Sequence, residues 1–444
     1  MGDVQESVVR ARAFQAVVWG MPAVNYRLMY DAAVGAGMGG ENQILWWPGL
    51  MDWRNQSLTP NPDVIYLMPF FTTENGPVVL EIPPADDTHK INGSVMNYWQ
   101  AAIEDVGPAG LDAGAGAKYL ILPPGYTDPV PLGYTLLQSD TYRGYALLRS
   151  IPAGQSDSEI ADAVAYAEKI ALYPYTPDGV TGTTVRVDGL DRPYDAAIRY
   201  DASFFETLNT VVQAEPWLER DRSMIDQLAS LGISRGQTYA PDRATLDALT
   251  AGIGDAKTWL DERYQALFEA PYWPGTHWTM PAMPDLITST ANGFSVPGAY
   301  PVDDRGLAYT FAFFSSRHLG KGQSYLMAIA DQSGQGLDGT KNYRLTVPGN
   351  VPVAQYWSLT VYDATTHTFV QNSPRLSYSS LAEPDADPAA PVDLYIGPDA
   401  PAGVPETHWI PTLGTASFEV MFRLYGPQQA YTDKTWVLDD LQRL

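Results

Sequence analysis

Between Ser57 and Pro84 the chain reads SLTPNPDVIYLMPFFTTENGPVVLEIPP, a stretch through which no helix can run. Pro60 and Pro62 each fix φ and push the residue before them toward extended geometry, so the chain enters Asp63 extended. Val64 to Phe71 then reads as a mostly apolar strand, Thr73-Glu74-Asn75-Gly76 as a hairpin connection and Pro77 to Ile82 as the returning strand. A hairpin this apolar is expected to be buried on both faces, with Asp63 at its mouth. Beside prolines, Asn61 and Asp63 are expected to satisfy backbone donors in an Asx turn. The sharper alternative puts Asp63 in a cleft as acid, base or ligand, with Asn61 and Tyr66 beside it.

A chain of 444 residues suggests two or three domains. Its 45% apolar and 12% aromatic residues are enough for full cores. No run of about 18 apolar residues occurs, which argues against membrane insertion. The opening MGDVQESVVR lacks the basic start and apolar stretch of an export leader. The protein is thus expected in the cytoplasm, or in the periplasm or medium if a leader has been removed. Without cysteine, disulfides and thiolate metal sites are excluded. The net charge of −24, from 51 acidic against 27 basic residues, argues against nucleic-acid partners.

From Gln5 to about Tyr30 apolar residues recur at helical spacing, and Gly20-Met21-Pro22 predicts a break into two short helices. Trp46, Trp47, Pro48 and Trp53 form an aromatic knot, for packing or as a platform for a sugar or aromatic ligand. After the apolar stretch Ser94 to Ile103, Glu104 and Asp105 follow directly. GPAGLDAGAGA lacks the lysine and hydroxyl of a phosphate loop and reads as a connection before a strand at Lys118 to Leu122. Another strand is expected at Tyr145 to Arg149, and Ser156-Asp157-Ser158-Glu159 opens a helix running to about Leu172. Val180 to Asp195 reads as polar turns. Helical spacing returns from Ser203 to Ala270, with Asp242 placed as a cap. Beyond Tyr272 come strands at Tyr343 to Val347, Gln355 to Tyr362, Val392 to Ile396 and Ser417 to Tyr425. The fold class is therefore mainly β with α: two tandem β-sandwich or jelly-roll domains, 1–180 and 272–444, joined by a helical insert, 181–271.

The segments WGMPAVNY, LTPNPDVIY, GPVVLEIPP, YWQAAIEDVGPAG and KYLILPPGY resemble the bacterial domain of unknown function 1254. FAFFSSRHLG, GLDGTKNYRLTVPGNVPVAQYWSLTVYD, SPRLSYSS and FRLYGPQQAYTDKTWVL resemble the domain of unknown function 1214. The resemblance implies tandem sandwiches with a helical insert, often in an oligomer and frequently exported, and it supplies no agreed reaction. Val64 stands where members usually carry a threonine. Met96, Asn97 and Tyr98 occupy a segment that often holds an aspartate, and Gln371 and Asn372 replace common acids.

Acid and base work at neutral pH needs groups whose environments push their pKa values apart. Asp63, Glu104 and Asp105 are the candidate carboxylates. Strand alternation sends Glu104 and Asp105 to opposite faces, so at most one faces a cleft, with Asp105 favoured. Arg317-His318, soon after Phe311 to Phe314, is the first choice for a contribution from the second half. Arg375 offers a planar fork for a substrate carboxylate, against an ion pair as the plainer role. Asp331 to Gly339 reads as a turn, since it lacks the bidentate glutamate of a calcium loop. No Gly-x-Ser-x-Gly elbow or dinucleotide fingerprint occurs.

These residues suggest a hydrolase or related cofactor-independent enzyme for a small organic or carbohydrate-like substrate in an interdomain cleft. Trp47, Trp53, Tyr66 and Trp99 would line it. The alternatives are a non-catalytic protein binding a small molecule or saccharide, and a lyase or hydrolase with a divalent metal on His318 or His367 with Asp63.

Overall fold

The computed structural model describes residues 2–294, 296, 298–312, 316–318 and 322–444. It opens with α1 (Asp3–Gly35), which passes through Pro22 unbroken. From Ala16 to Tyr26 every residue of α1 is buried, as in a helix packed on all sides. The expected pair of short helices is thus one long helix. Burial outweighs the roughly 3 kcal/mol that an interior proline costs, and the Gln100 side-chain amide donates to the Pro22 carbonyl at 2.7 Å.

The first sandwich uses β1 (Gln43–Trp46), β2 (Asn55–Gln56), β3 (Ile65–Thr72), β4 (Val78–Ile82), β5 (Ile91–Asn97) and β6 (Ala102–Val106). It continues with β7 (Ala117–Leu122), β8 (Thr135–Gln138), β9 (Arg143–Ser150), α2 (Asp157–Ala167), β10 (Ala171–Pro174), β11 (Val185–Asp188) and β12 (Tyr194–Asp195). The sheet β11-β1-β3-β9-β5-β6 packs on the sheet β10-β4-β7-β8. The central stretch is a corner between these sheets and not a hairpin. Strand β3 already pairs with β1 on one edge and β9 on the other, which leaves no edge for β4. Ser156 caps α2 with a full capping box, but the helix stops at Ala167 and the chain turns into β10. The stretch 180–195, read as turns, instead supplies β11 and β12, which pair in parallel with β1 and β2.

Helices α3 (Ser203–Ala214), α4 (Met224–Ala229) and α5 (Arg243–Leu267) follow, and the Asp242 side chain accepts from Thr245 N at the start of α5. The chain then forms α6 (Pro284–Ala291) and α7 (Val302–Phe311) before any strand, so the strands of the sandwich expected over 272–444 begin only after two further helices. Helix α1 packs against α3, α5 and α7. Glycines permit the closest approaches: a Cβ on Gly252 would lie 2.6 Å from the Arg10 carbonyl, and one on Gly306 2.5 Å from the Val18 carbonyl.

The second sandwich contains β13 (Gln323–Ala328), β14 (Tyr343–Val347), β15 (Trp357–Asp363), β16 (Thr368–Phe369), β17 (Ser377–Ser379), β18 (Val392–Gly397), β19 (Trp409–Pro411) and β20 (Phe418–Tyr425). Helix α8 (Gln429–Thr432) and β21 (Gln442–Arg443) close the chain. The sheet β13-β20-β15-β16, with β17 beside β15, packs on β19-β18-β14-β21. In β20 the alternation is complete: Phe418, Val420, Phe422 and Leu424 enter the sandwich. Glu419, Met421, Arg423 and Tyr425 occupy the alternate positions, and Met421 and Tyr425 join the core shared with the helices. Asp331 accepts from Ser333 N and Gln335 N, so its segment is a turn.

Candidate functional site

A cavity of about 240 Å3 lies between the six-stranded sheet of the first sandwich and the five-stranded sheet of the second. Register explains its first wall. Tyr66 pairs with Arg149 and Arg149 with Asn92, while Leu147 pairs with Ser94 and Ser94 with Asp105. Directly paired residues share a face, and so do residues two apart, so these six side chains form two adjacent rows. All six line the cavity. On the facing wall Tyr325 pairs with Arg423, with Met421 two residues before it. Met29 of α1, Met51, Trp47 and Met280 close the sides, giving walls rich in methionine, whose flexible thioethers adapt to a ligand's shape.

Asp105 and His318 form the titratable pair of this cavity. The Asp105 carboxylate accepts from Ser94 Oγ at 2.7 Å, Ser316 Oγ at 3.0 Å and the backbone N–H groups of Arg317 and His318 at 3.0 and 2.7 Å. It also meets His318 Nδ1 at 3.0 Å. Surrounded by donors, Asp105 is an acceptor, so Nδ1 carries a proton toward it and Nε2 is the ring nitrogen turned away from it. No described residue bonds to Nε2. Asp105 is 4% exposed, and the neighbouring hydroxyls and amides hold it in place.

Two arginines border the cavity, and neither has a carboxylate within ion-pair distance among the described residues. Arg423, 2% exposed, donates from Nη1 to Thr360 Oγ1 at 2.7 Å and from Nη2 to the Thr59 carbonyl at 2.9 Å. It also donates to the Pro60 carbonyl and the Tyr362 hydroxyl. Half-buried Arg149 donates only from Nε, to Tyr66 Oη at 3.0 Å, and its terminal nitrogens bond to no described residue. The Tyr325 hydroxyl likewise has no hydrogen bond to a described residue, and burial pushes its pKa well above the usual value.

The structure separates the residues singled out from sequence. Asp105, His318, Tyr66 and Trp47 line the cavity. Asp63 does not, and the alternative that puts it in the cleft as acid, base or ligand is corrected: it is sealed behind the wall, where its Oδ1 accepts from Gln155 Nε2 at 3.1 Å and Ser377 Oγ at 2.9 Å. Burial pushes its carboxyl up, while Ser377 and the Arg423 charge pull it down. Asn61 makes the Asx turn, accepting from Asp63 N at 3.0 Å, and donates to the Tyr356 and Tyr425 hydroxyls. Glu104, in register with Val95, is off the cavity and accepts from Asp105 N. Trp99 packs on Trp19, 4.6 Å between ring centroids, and its carbonyl accepts from Arg305. Trp53 carries Arg54 over its ring. Arg317 binds the Ile103 carbonyl, and Arg375 reaches the Trp409 carbonyl and exposed Glu406, so neither joins the cavity. Phe313 and Phe314 lie outside the described residues.

His367 pairs with Glu419 at 2.9 Å and His318 with Asp105, so neither meets Asp63. Among the described residues no group of three or more histidine, aspartate or glutamate side chains is placed to hold a metal. Arg149 and Arg423 are the residues that sequence reasoning missed. Their signal was a lone cation inside an apolar strand, in YALLRS and in FEVMFRLY.

The family model described as "Protein of unknown function (DUF1254)" matches residues 41–174, and "Protein of unknown function (DUF1214)" matches residues 322–429. No curated protein matches the chain. Among solved structures, the VPA0106 protein from Vibrio parahaemolyticus has a TM-score of 0.58 at 16% identity, covering 98% of this chain and 100% of that one. A putative uncharacterized protein from Burkholderia cenocepacia gives 0.40 at 8% identity, over 99% and 96%. The first likeness shows the fold alone, and the second is too low to argue from. With both domains matched in this order, the chain belongs to the proteins that join domain of unknown function 1254 to domain of unknown function 1214.

Proposed function

We propose that the interdomain cavity is the active site of a hydrolase or related cofactor-independent enzyme acting on a small organic substrate. The observation that supports this most is the Asp105–His318 pair opening onto a largely apolar space. His318 Nε2 would act as general base, on a water or on a substrate proton, and Asp105 would position the ring and stabilise the imidazolium that forms. Ser94 and Ser316 both donate to Asp105, so neither hydroxyl is placed as a nucleophile for His318. A two-carboxylate glycosidase is disfavoured, because Asp105 is the single acid among the described lining residues.

The test is mass spectrometry of a metabolite mixture incubated with wild-type protein and with His318→Asn. A compound consumed by wild type and spared by the variant supports the reading. Equal consumption by both removes His318 from the chemistry, and equal retention without consumption favours a binding protein.

A further inference from the structure

Burying an arginine in a low-dielectric site is costly unless its N–H groups find acceptors. Arg423 meets that requirement inside the protein, whereas Arg149 is half-buried and only its Nε finds a described acceptor. Arg149 and Tyr325 both line the cavity, and neither the terminal nitrogens of the one nor the hydroxyl of the other bonds to a described residue. The Arg423 guanidinium lies 5.5 Å from the Tyr325 ring, so its positive charge backs the same corner. Among the described lining residues the one acid is Asp105, two strands and two residues away from Arg149.

The geometry points to a small amphiphilic carboxylate as the ligand class, which we propose with its carboxylate held by Arg149 and Tyr325 and its apolar body along the methionine wall. The proposal rests on the cavity's being the site described above. The planar guanidinium offers two parallel N–H groups, the pattern that fits a carboxylate's two oxygens. Met29, Met51, Met68, Met280 and Met421 supply the wall for the body. At about 240 Å3 the cavity lies below the roughly 300 to 1,000 Å3 typical of drug-sized ligands, so the body is short. Arg149 and Asp105 are two strands and two residues apart, about 12 Å between Cα atoms by strand geometry. The carboxylate is therefore a handle several bonds removed from the atom that His318 would address.

Calorimetric titration of the whole protein with octanoate, octanol and octylammonium tests this. Octanoate should bind at least tenfold more tightly than either. Arg149→Gln should weaken octanoate at least tenfold and change octanol less than twofold, and Tyr325→Phe should weaken octanoate severalfold. Arg149→Lys keeps the charge without the fork and should fall between wild type and Arg149→Gln, which covers the case where the glutamine variant does not fold. Octanol binding as well as octanoate, no octanoate binding, or wild-type octanoate affinity in Arg149→Gln would each overturn the proposal. Turnover plays no part in the titration, so a failure of the His318 reading leaves this result standing, and the reverse.

Discussion

Arg149 and Arg423 border one cavity from opposite domains, yet their surroundings differ in kind. Arg423 is spent within the protein, joining its own Thr360 and Tyr362 to the Thr59 and Pro60 carbonyls of the other domain. Arg149 holds one tyrosine and keeps its terminal nitrogens free of described partners. At the other end of the same strand, Arg143 meets Glu41 at 2.6 Å, Glu74 at 2.7 Å and Glu215 at 3.4 Å. Residue type and burial do not separate an arginine that holds the fold from one available to a ligand. The list of acceptors does.

Removing Arg423 should have the largest effect. Arg423→Met leaves two carbonyls and two hydroxyls without their donor, each unsatisfied buried group costing about 1–3 kcal/mol, and should lower the midpoint of chemical denaturation more than any other change named here. An unchanged midpoint would show that this arginine does not join the domains. Gly306→Val asks whether the helices, independently of Arg423, fix the approach of the two sandwiches. Its Cβ would lie 2.5 Å from the Val18 carbonyl, and overpacking should cost about 1–3 kcal/mol.

Glu215, beside Arg143, gives a pH signature. Burial raises its pKa from 4.5 to about 7, against the pull of the Tyr142 and Arg143 donors. The folded state then binds more protons than the unfolded one between these values, so this contribution is complete below 4.5 and is lost as pH rises through about 7. Denaturation midpoints across that window should decline for wild type and flatten for Glu215→Gln. Arg149→Gln should have the smallest effect on stability, less than about 1 kcal/mol, because no ion pair is broken. A loss as large as that of Arg423→Met would erase the distinction between them.

Much of the fold was legible because its signals are local. The serine and glutamate of the α2 capping box, Asp242 ahead of α5, and the alternating strands of the second sandwich depend on nearby residues alone. Pro22 misled because the helix around it is held by partners hundreds of residues away. The corner after β3 misled because tight-turn residues serve a sheet crossing as well as a hairpin. At the site, alternation could divide Glu104 from Asp105, but only the assembled domains reveal which face borders a cavity. Asp63 and Arg149 are both polar residues at ends of apolar strands. What separates them is tertiary packing, which seals Asp63 against Ser377 and Gln155 and leaves Arg149 on the cavity.

The fully buried middle of α1 also has a temporal side. This segment is made early, yet α5 and α7, which cover it, are made more than two hundred residues later. Because domains emerge and fold in order during synthesis, the first sandwich can close while the apolar flank of α1 still waits for its cover. A chain halted before Val302 would leave Val18, against which Gly306 packs, without that partner. The helix at the centre of the finished protein is thus the exposed liability of the growing one.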